Sequence, residues 1–173
     1  MALIVETGAI VAGAESYISV SGADTYHSDR GNASWAALTT AVKEQNLRKA
    51  TEYMLQVYRQ RWKGSRMSSG QTLDWPRAFV YIDQILSGSS YAFPSLVSNT
   101  VVPVEVQRAC AELALKSSTA ELLADLTQQK ASVTVGPIST TYDSSSPQFK
   151  RYTAIDAMLS PYFEGVDGKA VRV

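Results

Sequence analysis

The chain has 173 residues, of which 45% are apolar, and its 16 basic residues balance 16 acidic ones. This length and composition predict one domain, or one domain with an arm, built around an ordinary apolar core. A formal net charge of zero excludes a polycation of the histone type. A single cysteine excludes an internal disulfide bond, and no apolar run approaches the roughly 20 residues of a membrane span, which argues against a membrane partner.

Short elements are predicted at the start of the chain. Residues 2–5 and 16–20 have the composition of extended segments, with a stretch rich in Gly and Ala between them. Ser21 is the predicted N-cap of a helix that ends at Gly31, and Asp24 lies three residues after this cap, as in a weaker capping box. Residues 35–38 follow as a second short piece.

Two long amphipathic helices are predicted to form the centre of the fold. The first begins after a cap at Thr39 or Thr40 and carries apolar residues at helical spacing over about 20 positions. The second covers residues 103–119, where Pro103 can occupy the first turn without the loss of a hydrogen bond. We therefore expect the two helices to pack together and to bury Leu47, Met54, Val106, Cys110 and Leu113.

A β segment and a C-terminal arm complete the predicted fold. Residues 87–100 are rich in Ser, Gly and Asn without a period, which indicates a long surface loop. Residues 130–142 alternate on either side of Gly136 and Pro137, which is typical of a hairpin or of one bent edge strand. The predicted fold class is mainly α: a small helical bundle with a short β hairpin or edge strand and an extended C-terminal arm that carries a short helix. The bundle domain spans residues 1–142, and the arm spans residues 143–173.

The sequence offers little for catalysis or for metal binding. His27 is the single histidine and Cys110 the single cysteine, so a zinc site would need carboxylates to complete it. Neither a phosphate-binding glycine loop nor a nucleophile motif of the GxSxG type occurs. We therefore expect no enzyme activity, no cofactor and no metal. We expect His27 to lie at the surface or half-buried, and Cys110 to serve as a small apolar residue.

Positive charge is concentrated in one segment. Residues 43–77 contain eight basic and three acidic residues, a net charge of +5 that the remainder of the chain balances. The densest part consists of Arg59, Arg61, Lys63 and Arg66, interleaved with Tyr58, Trp62 and Trp75. Cations beside aromatic rings suit nucleic acid, because the cations neutralise phosphates and the rings stack on bases. The alternative is a solvated helix end whose cations complement the helix dipole, with Trp75 as a core anchor.

The C-terminal arm combines a polar linker with an apolar cluster. Residues 143–147 are small and polar, with a final proline, which is typical of a linker. The cluster that follows consists of Phe149, Tyr152, Ile155, Met158, Leu159, Tyr162 and Phe163. A helix of about a dozen residues is marginal alone in water, so this apolar surface needs a partner. The helix either folds back onto its own bundle or reaches out and docks on another subunit or protein.

Several segments, taken in order, resemble a known family. They are Ser16-Tyr17-Ile18-Ser19-Val20, Asp29-Arg30-Gly31-Asn32, and the segments at 35–38, 73–77, 102–115 and 135–139. Their order and spacing over roughly residues 1–142 resemble the head–tail connector (adaptor) proteins of tailed bacteriophages. Some members of that family are described as DnaT-like single-strand DNA-binding proteins.

The resemblance implies a structural virion protein: a connector subunit that forms a ring, usually of twelve copies, beneath the portal. Such a ring extends the DNA channel and joins the tail. The implied partners are copies of the same chain, the portal protein, a tail or tail-completion protein and non-specific double-stranded DNA. The implied location is the neck of the virion, after synthesis in the host cytoplasm.

Two sets of residues gain candidate roles from this resemblance. Arg59, Arg61, Lys63 and Arg66 become candidates for the lining of the DNA channel. The apolar cluster of the arm becomes the candidate for docking on the portal, since aromatic side chains are effective anchors. The alternative function, from another class, is a single-stranded DNA-binding module active in replication.

Overall fold

A computed structural model of the chain describes residues 2–85, 92–125, 132–135, 138–141 and 150–165. Within these ranges the helices are α1 (Val20–Ser28), α2 (Ala33–Ala36), α3 (Thr40–Tyr58), α4 (Val104–Ser117) and α5 (Thr153–Leu159). The strands are β1 (Ser65–Arg66), β2 (Arg77–Ala78), β3 (Tyr81–Ile85), β4 (Ala92–Leu96), β5 (Ser132–Val135) and β6 (Ile138–Thr141). The predicted mainly-α class is confirmed. None of the helices in the described ranges is long and apolar enough to cross a membrane.

Helices α3 and α4 form the centre of the bundle, as their spacing predicts. Thr39 caps α3, because its hydroxyl accepts a hydrogen bond from the Val42 amide. Pro103 lies directly before α4, at a position where the missing proline N–H does not cost the helix a hydrogen bond. The five predicted core residues, Leu47, Met54, Val106, Cys110 and Leu113, are all fully buried. Burial of the apolar faces that α3 and α4 turn toward each other therefore stabilises the centre of the fold.

The first helix begins two residues earlier than predicted. Ser19, and not Ser21, is the N-cap of α1, because Ser19 is extended and its hydroxyl accepts a hydrogen bond from the Gly22 amide at 3.0 Å. Asp24 consequently takes no part in a capping box. Its carboxylate accepts hydrogen bonds from Trp35 Nε1 at 2.7 Å and from Lys43 Nζ at 2.8 Å. These bonds tie α1 to α2 and α3.

The strands form three separate two-stranded antiparallel sheets. Strand β4 corrects the prediction of a surface loop over 87–100, since β4 pairs with β3 along its whole length, with Tyr81 opposite Leu96. Small polar residues around β4 obscure its pattern in the sequence. Strands β5 and β6 pair as a hairpin, so the hairpin alternative holds and the single edge strand does not. Residues 136–137 lie outside the described residues.

The C-terminal helix folds back onto the bundle. Helix α5 packs on α4, and a short 3-10 turn, Ser160–Tyr162, follows it. Phe163 then forms an isolated antiparallel bridge with Trp62. Arg61 Nη1 and Asp156 Oδ1 pair at 3.1 Å, and the Tyr162 hydroxyl donates to Glu105 Oε2 at 2.6 Å. For the residues that the structure describes, the first of the two alternatives therefore holds, in which the helix folds back onto its own bundle.

The apolar cluster finds its partner within the same chain. Ile155, Leu159, Tyr162 and Phe163 are buried, while Tyr152 and Met158 are partly buried against the core. Phe149, the predicted linker at 143–147 and the tail after residue 165 lie outside the described residues. The division into domains at residues 142 and 143 stays a prediction.

Candidate nucleic-acid interface

Two of the four predicted DNA-contacting cations are already neutralised within the protein. Arg59 Nε donates to Asp74 Oδ1 at 3.1 Å, and that carboxylate is fully buried. Arg61 pairs with Asp156, and its guanidinium also lies 4.0 Å from the centre of the Phe163 ring. Both arginines therefore help to hold the bundle together, and neither is a free cation for phosphate.

The other two cations lie together near a small β ribbon. Lys63 Nζ donates one hydrogen bond, to the Tyr81 carbonyl at 3.1 Å. Arg66 lies in β1, and its Nε is buried without a hydrogen-bond partner. Among the described residues neither cation has a carboxylate partner within ion-pair distance. Each thus keeps donors that can reach a phosphate.

The tryptophans of the basic segment are core residues. Trp62 and Trp75 are both buried, and their rings meet edge to face with centroids 5.6 Å apart. Tyr162 packs against Trp75 in the same way at 5.5 Å. The alternative in which Trp75 is a core anchor is confirmed. Neither ring can serve as a stacking platform for a base without unfolding of this cluster.

Two other aromatic residues are exposed beside Lys63 and Arg66. Phe79 is 70% exposed and Tyr81 is 48% exposed, while Val80 between them is buried. Leu96, opposite Tyr81 across the β3–β4 pair, is 58% exposed. Neither Phe79 nor Tyr81 takes part in any ring–ring contact with another described residue. The sequence shows an apolar patch at this place, but it does not show that the patch faces solvent.

We call the set formed by Lys63, Arg66, Phe79 and Tyr81 the ribbon site. Antiparallel pairing of β1 with β2 brings its two halves together, with Ser65 opposite Ala78. The Lys63 bond to the Tyr81 carbonyl fixes the start of β3 beside them. Two exposed aromatic rings and two cations without a carboxylate partner among the described residues thus share one short stretch of surface, which is a combination typical of single-strand binders.

Gly64 allows the two halves of the ribbon site to approach closely. Its φ of +68° lies in the left-handed region that favours glycine. A Cβ atom at this position would overlap the carbonyl oxygen of Ala78 and lie 3.0 Å from the carbonyl carbon of Phe79. No side chain larger than hydrogen fits there without a shift of the backbone.

Arg77 fastens the same two segments from the inside. Its guanidinium donates to the Lys63 carbonyl at 2.8 Å and to the Gly64 carbonyl at 2.6 Å. Burial lowers the pKa of Arg77, and the charge of Arg66 lowers it further, while Asp74 and Glu164 act in the opposite direction. Arg77 is buried and does not face a ligand, so we regard it as a positioning residue.

Phe79 is held in an unusual conformation. Its φ is +58°, which is a rare value for a bulky residue that is not glycine. Such a backbone costs on the order of 1–3 kcal/mol and persists only where the surroundings impose it. Gly64 and Arg77 hold the backbone directly beside it. The result is an apolar ring that is directed into solvent, although burial would be more favourable for it.

A cavity beside α1 has a different character. It measures about 450 Å³ and is lined by Asp24, His27, Asn32, Trp35 and Lys43, among others. His27 is buried, which corrects the prediction that it lies at the surface or half-buried: its Nε2 bonds to the Ala111 carbonyl at 3.1 Å, and its Nδ1 bonds to Asn32 Nδ2 at 3.0 Å. The Ala111 carbonyl can only accept, so Nε2 carries a proton, and the Asn32 amide nitrogen can only donate, so Nδ1 carries none and the ring is neutral. Burial lowers the pKa of His27.

The polar groups of this cavity bond mainly to one another, as the Asp24 bonds to Trp35 and Lys43 show. It therefore has a structural explanation that needs no ligand. Within the part of the chain that the structure describes, no three His, Cys, Asp or Glu side chains come together as a metal site would require. Cys110 is fully buried, with Thr51 Oγ1 at 3.5 Å, and burial raises the pKa of its thiol.

Comparison with known proteins gives one match. The whole chain, residues 1–173, matches the family described as putative DnaT-like ssDNA binding protein. No curated protein and no solved structure matches the chain.

This match corrects the function inferred from the connector resemblance. The description of the family names single-stranded DNA binding, which was the alternative, and it gives no support to a structural virion adaptor. The ring of twelve copies, the portal and tail partners and the location in the virion neck followed from that resemblance, and a single chain does not test them. The docking role predicted for Phe149, Tyr152, Ile155, Met158, Leu159, Tyr162 and Phe163 likewise stays untested. By its match over the full length, the chain belongs to the DnaT-like single-stranded-DNA-binding protein family.

Proposed function

We propose that this protein binds single-stranded DNA through the ribbon site. One observation carries the proposal: Phe79 and Tyr81 expose their rings beside Lys63 and Arg66, two cations without a carboxylate partner among the described residues. The family description supports the same ligand. Binding needs no catalytic group and no cofactor.

The two kinds of side chain have separate tasks. Lys63 and Arg66 contact phosphates, which makes binding independent of sequence and sensitive to salt. Phe79 and Tyr81 stack on bases, and such stacking contributes roughly 1–3 kcal/mol per base in other single-strand binders. A duplex offers its phosphates, but its base faces are covered by neighbouring bases. The rings therefore favour the single strand.

Fluorescence anisotropy with a labelled thymine oligonucleotide and its duplex tests the proposal. We expect the single strand to bind more tightly than the duplex at equal salt. Phe79→Ala should weaken binding to the single strand about tenfold, following from the stacking energy. Leu123→Ala is the matched control, because Leu123 is an exposed apolar residue outside the ribbon site.

The salt dependence tests the cations separately. Replacement of Lys63 and Arg66 by Gln should reduce the slope of log K against log salt by about 1.4, which is about 0.7 for each phosphate contact on a single strand. Arg108→Gln, an exposed cation of α4, should leave the slope unchanged. A folded wild-type protein that binds no single strand at low salt would contradict the proposed function.

A further inference from the structure

We infer that the ribbon site holds the faces of unstacked bases, so that it selects strands by how weakly their own bases stack. This inference rests on the proposed function and goes beyond it, because it states which single strands bind well. Thymine-rich strands are the predicted ligands of choice, and adenine-rich strands are poorer ones.

The chemistry of the exposed rings favours base faces over base edges. Phe79 has no group that can donate or accept a hydrogen bond, so it cannot distinguish bases by their edges. Tyr81 adds one hydroxyl at the end of a half-exposed ring. What both residues offer in common is an open aromatic face, and every base has a matching one.

The position of Phe79 is set before DNA arrives. Arg77 fastens the Lys63 and Gly64 carbonyls at 2.8 and 2.6 Å, and Gly64 packs directly against the backbone at 78 and 79. The φ of +58° at Phe79 is part of this fixed geometry. Since the backbone that carries the ring is held in place, the strand has to come to the ring.

Adaptation of the strand means that bases separate from each other. In a stacked strand, neighbouring bases follow at about 3.4 Å and cover each other's faces. A ring can reach such a face only after the neighbouring base has moved away, which costs stacking energy. Adenines stack strongly on each other and thymines weakly, so the cost is larger for adenine. This difference produces a preference without any reading of base edges.

The test compares three labelled oligonucleotides of about 15 nucleotides, within the usual range of site sizes. They are all-thymine, all-adenine and an abasic backbone of equal length, measured by anisotropy at one salt concentration. We expect thymine to bind about tenfold more tightly than adenine, and the abasic strand to bind most weakly. Phe79→Leu, which keeps an apolar side chain but removes the ring face, should reduce the differences in affinity among the three strands. Arg66→Gln, which removes a cation that makes no hydrogen bond to Phe79 or Tyr81 among the described residues, should weaken all three by a similar factor and leave the ratios of their affinities unchanged.

Each other outcome has a definite meaning. Equal affinity for all three strands, with a retained salt dependence, would overturn the inference and leave the proposed function standing. No binding of any strand by the folded wild-type protein would remove the proposed function itself.

Self-association is the other use of the exposed face formed by Phe79, Tyr81 and Leu96, which would then contact a second copy of the chain. If Phe79→Leu leaves DNA affinity unchanged but abolishes self-association in sedimentation, the face is an interface between copies and the inference is wrong.

Discussion

At the scale of single residues, the ribbon site depends on atoms that never touch DNA. Gly64 lets two backbone segments meet, and Arg77 fastens them with two hydrogen bonds to carbonyls. Phe79, beside these segments, is exposed in a left-handed conformation. A substitution in this scaffold should therefore change DNA binding even where the ring itself is kept.

Gly64→Ala is the sharpest test of this scaffold. We expect a lower free energy of unfolding, because the new Cβ overlaps the Ala78 carbonyl in addition to the cost of a positive φ. Gly31→Ala is the matched control, since Gly31 has a similar φ of +66° but nothing within 4 Å of the added Cβ. Urea unfolding of both variants should show a larger loss for Gly64→Ala by at least about 1 kcal/mol. Equal losses would show that the close approach at Gly64 does not matter.

His27 should make stability depend on pH. Burial holds its pKa below the ordinary value of 6.5, so the unfolded chain takes up the proton first as pH falls. The contribution of the neutral ring is fully present above about pH 6.5 and is lost as the pH falls through the lower pKa of the folded state. The unfolding midpoint in urea should decrease between about pH 7.5 and pH 5.5.

His27→Gln provides the comparison for this pH dependence. The chain has one histidine, so the variant lacks any imidazole. We expect the variant to be less stable at neutral pH, because the bonds to Ala111 and Asn32 are disturbed, and to show a flatter profile below pH 6.5. Parallel profiles for the two proteins would assign the pH dependence to other groups.

At the scale of elements, the C-terminal helix belongs to the bundle. Tyr162 and Phe163 cover the aromatic cluster of Tyr58, Trp62 and Trp75, and ion pairing of Arg61 with Asp156 holds α5 in place. The Lys63 amide also donates to the Tyr162 carbonyl at 2.9 Å. This last bond joins the C-terminal segment to the residue that begins the ribbon site.

Truncation after Tyr142 should therefore destabilise the whole protein. Removal of α5 and the 3-10 turn exposes large aromatic side chains and leaves Arg61 without its carboxylate. Thermal unfolding followed by circular dichroism should show a clear fall in Tm or no cooperative transition. A chain ending at Gly165, which keeps α5 and the 3-10 turn, is the control, and its Tm should be higher than that of the shorter chain. An unchanged Tm for the shorter chain would mean that α5 contributes nothing to the core.

At the scale of the whole molecule, helical periodicity was enough to predict the centre of the fold. Leu47 and Met54 in α3, and Val106 and Cys110 in α4, recur at spacings that a helix places on one face, and the structure buries all four. Strand β4 could not be predicted from its own residues, because it is defined mainly by its pairing with β3. A two-stranded sheet leaves little pattern in a segment rich in small polar residues.

The candidate site was predicted only in part, for a physical reason. Composition reveals that cations and aromatic residues are close in sequence, but it does not reveal which of them have partners. Arg61 is neutralised by Asp156, 95 residues away, whereas Lys63 has no such partner among the described residues. Likewise Trp62 is buried by Phe163 from the other end of the chain, and Phe79 is left exposed. Contacts between distant segments decide both outcomes.

An NMR titration of the ¹⁵N-labelled protein with a thymine oligonucleotide tests the central claim most directly. Binding through the ribbon site predicts that the largest amide shift changes fall at residues 63–66 and 77–81, where Lys63, Arg66, Phe79 and Tyr81 lie. The amides around the α1 cavity, at Asp24, His27 and Lys43, should stay unchanged. Changes centred on that cavity or on the exposed face of α4, with none at 77–81, would contradict the account.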